Sequence, residues 1–81
     1  MVKAYINVTL KKSILDPQGE AVKNALEKMN YKTEAVRIGK HIEIDLGDVS
    51  KEEADKIVKE ITEKLLYNPE IETYNYNIEV I

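Results

Sequence analysis

Leu15-Asp16-Pro17-Gln18-Gly19 is where this chain changes from strand to helix, and its chemistry fixes the boundary. The Asp16 carboxylate can accept a backbone N–H of the first helical turn. Pro17 suits the first helical position, where no donor is needed. A second proline junction, Leu65-Leu66-Tyr67-Asn68-Pro69-Glu70-Ile71-Glu72, does the reverse. Pro69 cannot extend the helix before it and drives Asn68 out of the α region, so a strand begins beyond it.

Upstream of Asp16, residues 2–10 alternate without a break: Val2, Ala4, Ile6, Val8 and Leu10 face one way, and Lys3, Tyr5, Asn7 and Thr9 the other. Period two means a half-buried strand. Downstream, Val22, Ala25, Leu26 and Met29 recur at helical spacing, so a helix over 17–29 carries one apolar stripe, and Asn30 suits a left-handed cap. Residues 32–38 predict a second strand around Val36 and Ile38, Gly39-Lys40 a turn, and residues 41–46 a third strand with Ile42, Ile44 and Leu46 inward. A two-residue turn would set Ile38 opposite His41. An odd loop is expected instead, because it keeps Ile38 and Ile42 together in the core. Ser50 and Glu53 form a capping box for a helix running to about Leu66, with Ala54, Ile57, Val58, Ile61 and Leu65 as its stripe. Its outer face pairs acids and lysines at i, i+4, which reads as a solvated surface. A last strand covers 71–80, with Tyr74, Tyr76, Ile78 and Val80 on one face.

The order β-α-β-β-α-β predicts an α+β, ferredoxin-like fold: a four-stranded antiparallel sheet in the order 4-1-3-2, with two helices on one face, in a single domain over 1–81. The opposite face would carry Tyr5, Asn7, Thr9, His41, Glu43, Asp45, Asn75 and Asn77. Strand two bears Lys32, Glu34 and Arg37, charges that discourage edge pairing. The last strand has no internal proline, lysine or arginine, so Tyr74, Tyr76 and Ile78 mark the expected oligomer edge.

Eighty-one residues without cysteine give a small core with no disulfide and no thiolate metal site, so a homo-oligomer is expected. No apolar run approaches the roughly 20 residues that span a bilayer, and no leader precedes the first strand, so a cytoplasmic protein is expected. The net charge of −3 and a single arginine, Arg37, argue against a nucleic-acid surface.

His41, Glu43 and Asp45 alternate on one strand and could ligate a divalent ion, but a polar sheet face explains them more simply. Ser13 and Ser50 sit at helix starts, apart from the only histidine, so neither reads as a nucleophile. Neither a catalytic residue nor a metal site is expected. A copper-chaperone domain would need a Cys-x-x-Cys. An acylphosphatase would need an arginine where this chain has Lys11-Lys12-Ser13-Ile14-Leu15. An RNA-recognition module would need more aromatics than Tyr5 and His41 on the open face.

Leu10-Lys11 with Leu15-Asp16-Pro17-Gln18-Gly19, then Val36-Arg37-x-Gly39-Lys40, then Glu63-Lys64-Leu65-Leu66-x-Asn68-Pro69-x-Ile71-Glu72-x-Tyr74 resembles the PurS subunits of phosphoribosylformylglycinamidine synthase, in order and over nearly the whole chain. One departure is Thr62, where the family often has a cysteine. The resemblance implies a non-catalytic subunit in de novo purine biosynthesis. It would bridge a glutaminase subunit and a large synthetase subunit and assist ammonia transfer, working as a homodimer or homotetramer. ATP and magnesium would serve the complex, with no cofactor on this chain. It also implies partner contacts at Asp16, Gln18, Arg37 and Lys40. The other reading is a ferredoxin-like oligomeric regulatory module that binds a small effector, such as an amino acid, between subunits. With only three glycines and none before Gly19, the chain lacks the glycine-rich first loop such modules usually show.

Overall fold

The alternating run becomes β1 (Val2–Leu10), the central strand of the sheet. The structure, a computed structural model, describes residues 1–81. After β1 come α1 (Pro17–Lys28), β2 (Gly39–Gly47), α2 (Lys51–Ile61), a π-helical turn over Thr62–Leu66, and β3 (Glu72–Val80). Both β2 and β3 pair antiparallel with β1, giving the order β2-β1-β3. The inward row is Ala4, Ile6, Val8 and Val58, each almost fully buried, with Ile42, Ile44, Leu46, Leu66, Tyr74, Tyr76 and Ile78 packed around it. Burying a side chain such as Ile6 contributes about 1.5–3 kcal/mol.

The four-stranded expectation fails: the sheet has three strands. Residues 32–38 form no strand, because their backbone is engaged elsewhere. The Ile38 N–H donates to the Asp16 carboxylate at 2.7 Å, and the Val36 carbonyl is pressed against Gly19. Nor is there a turn at Gly39-Lys40. Both residues already belong to β2, with Gly39 opposite Thr9 and Lys40 opposite Val8. The parity conflict between Ile38 and Ile42 is resolved by having no hairpin at all.

The two helices also fail to share one sheet face. α2 packs on β1 and β3, whereas α1 stands off the sheet, and its expected stripe is largely uncovered: Val22, Ala25 and Met29 are exposed and Leu26 is half-buried. The molecule is accordingly elongated, 49 × 28 × 14 Å with a radius of gyration of 16.1 Å, against about 12 Å for a compact domain of this length.

Local chemistry at the helix ends agrees with the sequence. Asp16 caps α1 with Pro17 at its start. At the other end Asn30 takes φ 69°, and the N–H groups of Asn30 and Tyr31 donate to the Glu27 and Leu26 carbonyls, a Schellman cap. Ser50 caps α2 through the Glu53 N–H at 3.1 Å. The wide turn after Ile61 shifts the helical phase. Leu66 therefore faces the core, and Leu65, expected there, is 80% exposed.

Candidate functional site at the junction of β1 and α1

Asp16 and Arg37 hold this junction together from opposite sides. The Asp16 carboxylate is buried and accepts two backbone N–H bonds, from Gly19 at 3.0 Å and from Ile38 at 2.7 Å. These bonds, the one from Ile38 foremost, hold its carboxyl below the usual carboxylate range against the opposing effect of burial. The Arg37 guanidinium donates to three carbonyls: Leu10 at 3.0 Å, Lys11 at 2.7 Å and Ile14 at 3.2 Å. Segment 36–38 is thus clasped to the end of β1 and to the first turn of α1. The contact is tight: a Cβ on Gly19 would lie 2.1 Å from the Val36 carbonyl oxygen. Glycine is required here by proximity, not by its backbone angles.

All four motif residues lie around this junction, but in two different positions. Asp16 and Arg37 are engaged inside the chain. Gln18 and Lys40, whose side chains are exposed, line with Asp16 an open cleft of about 350 Å³. Lys40 and Glu72 stand on β2 and β3 on either side of β1, with Val8 and Leu10 between them. The Lys40 ammonium lies 3.9 Å from a Glu72 oxygen, an ion pair without a hydrogen bond. The other Glu72 oxygen accepts the Asn68 N–H at 2.7 Å. Glu72 was not singled out from sequence. Its signal was its place in the second proline junction, directly after the helix stop.

The outer sheet face carries the expected residues, now seen as a network. His41 Nδ1 lies 2.8 Å from Asn7 Oδ1, and Nε2 lies 3.2 Å from Glu43. Asn7 in turn donates to Asn75 at 3.1 Å, and Lys3 pairs with Glu43 at 2.9 Å. The Lys3 bond holds the Glu43 carboxyl below its ordinary range, and Glu43 raises Lys3. Asp45 does not join, and no group of three His, Asp or Glu side chains gathers as a metal site. Tyr74, Tyr76 and Ile78 lie on an edge strand, but their side chains turn toward the core. Tyr76 donates a hydrogen bond to Asp55 of α2, and this bond, with burial, pushes its phenol up to about 12.

The chain's relatives give these features a context. A family model described as PurS, phosphoribosylformylglycinamidine (FGAM) synthase, matches residues 3–80. The PurS subunit of this synthase from Bacillus subtilis is 46% identical, with 100% of this chain and 96% of that protein covered. The structure superposes on Methanocaldococcus jannaschii PurS with a TM-score of 0.89 at 33% identity, covering 100% and 99% of the two chains. That protein is described as one of the subunits of formylglycinamide ribonucleotide amidotransferase in the purine biosynthetic pathway. A chain of the PurLQS structure from Thermotoga maritima gives a TM-score of 0.85 at 30% identity, covering 98% and 99%. A motif set spread over both proline junctions, a match from end to end and a shared three-dimensional course agree: the chain belongs to the PurS family of FGAM synthase subunits.

Proposed function

We propose that this chain is the non-catalytic small subunit of a cytoplasmic phosphoribosylformylglycinamidine synthase. It bridges the glutaminase and the large synthetase subunits and assists ammonia transfer while FGAR is converted to FGAM. ATP and magnesium belong to the large subunit. Free ammonia in water at neutral pH is mostly ammonium, a poor nucleophile, so its transfer needs subunits oriented to enclose the route.

The observation that carries this reading is α1. It is anchored at its base by the Asp16–Arg37 clasp and presents an apolar stripe that the rest of the chain leaves largely uncovered. The inner residues of β2 are only half-buried, and both sheet edges are open. A second copy of the chain supplies cover for these surfaces, which makes the working unit a homodimer or homotetramer. Gln18 and Lys40 are free to meet the larger subunits, while Asp16 and Arg37 act by holding the junction in shape.

The test is sedimentation of the three subunits with glutamine, ATP and magnesium. Reversing charge at Lys40 should weaken assembly while leaving the circular dichroism of this chain intact. Replacing Met29 and Val22 with glutamate should dissociate its oligomer. A monomer that still joins both partners would refute the reading.

A further inference from the structure

We propose that the cleft between Lys40 and Glu72 is a binding site for a free α-amino acid. Its size is right for such a molecule: about 350 Å³ lies at the lower end of the range for small-ligand pockets. Its chemistry is ordered in the same sense. The half-buried Leu10 of β1 provides a short apolar strip between a cation on β2 and an anion on β3. The Glu72 side chain is only 17% exposed, and the Asn68 N–H fixes one of its oxygens. Its second oxygen receives no hydrogen bond, since Lys40 approaches only to 3.9 Å. That oxygen still reaches solvent, so a donor on a ligand can take it without breaking a bond within the chain.

The Lys40 side chain is 60% exposed and flexible, so its ammonium can swing aside. An α-amino acid then satisfies both groups at once: its ammonium bonds to Glu72 and its carboxylate to Lys40, while its side chain lies on the apolar strip. Gln18, at the edge of the cleft, makes no side-chain hydrogen bond within the chain and is placed to meet a polar group on the ligand. A simple anion would be repelled by Glu72, and a simple cation by Lys40, so the site selects molecules that carry both charges.

The site lies within one chain but shares Gln18 and Lys40 with the partner contact proposed above, so ligand binding and subunit capture are read separately. The test is calorimetric titration of the isolated full chain with the common L-amino acids, with ethylammonium and propionate as single-charge controls. At least one amino acid should bind saturably with a dissociation constant below about 1 mM, reasonable for a ligand of this size, and the controls should not. Lys40→Met and Glu72→Gln should each weaken that binding roughly tenfold or more. If Glu72→Gln fails to fold, Lys40→Met, at an exposed position, gives the reading alone. The proposal is overturned if no amino acid binds, if the controls bind as well, or if the variants leave binding unchanged. It is equally overturned if amino acids do nothing while Lys40→Met abolishes capture of the synthetase subunit, which would make the cleft a protein contact.

Discussion

Replacing Gly19 with alanine tests the clasp by the sign of its effect. In an exposed helix, alanine is more favourable than glycine by up to about 1 kcal/mol. Here the new Cβ would lie 2.1 Å from the Val36 oxygen and 2.9 Å from its carbonyl carbon, both backbone atoms that cannot rotate away. Relieving that overlap means moving segment 36–38 off the first turn of α1, which strains the Ile38 bond to Asp16 as well. Overpacking of this kind costs about 1–3 kcal/mol, and a clash with backbone belongs at the upper end. The net expectation is a loss of about 2 kcal/mol. With a urea slope near 1 kcal/mol per M for so short a chain, the midpoint should fall by about 2 M. Protein concentration must be held fixed, since an oligomer's stability depends on it. Gln18→Ala, one residue earlier and exposed, should shift stability by no more than about 0.5 kcal/mol and serves as the reference. A Gly19→Ala midpoint equal to or above that of the parent would refute the close packing of 36–38 on α1.

Thr62 is fully buried in the π-helical turn, and its hydroxyl has no hydrogen-bond partner. Thr62→Val keeps the shape and removes the orphan group, so it should raise stability by about 1 kcal/mol in the same urea assay. Asp16 has a depressed carboxyl in the folded chain, so its contribution is present above the unfolded value near 3.9 and is lost as pH falls through the folded one. Asp16→Asn should therefore lower the midpoint at pH 7 and flatten the decline below about pH 4. Tyr76 has its phenol raised to about 12, so its stabilising effect is complete below about pH 10 and is lost as pH rises toward 12. In an absorbance titration, one of the five tyrosines should ionise last, and Tyr76→Phe should remove that step.

The legible parts of this fold are those decided by short-range periodicity. β1 was readable residue by residue because its alternation is unbroken, and the caps at Asp16, Asn30 and Ser50 because they are built from neighbours in sequence. Segment 32–38 was misread because its β-branched residues favour a strand in isolation, while a long-range acceptor, Asp16, takes the Ile38 N–H. Leu65 and Leu66 were indistinguishable by type. Only the widened turn, which leaves no mark in composition, turns one out and the other in. The stripe of α1 was readable, but not that the rest of the chain leaves it largely uncovered. At the candidate site, the four motif residues fall around one junction. The motif did not show that Asp16 and Arg37 bond to the chain's own backbone while Lys40 joins the unnoticed Glu72 beside an open cleft.

The proposed function has this subunit serve nitrogen transfer between two other proteins without performing a reaction itself. It is tested most directly by comparing FGAM formation from glutamine and from ammonium salt, with and without this chain, using the glutaminase and synthetase subunits. Omitting the chain should sharply reduce the glutamine-dependent rate and leave the ammonium-dependent rate much less affected. An unchanged glutamine-dependent rate in its absence, or turnover of any substrate by the purified chain alone, would contradict it.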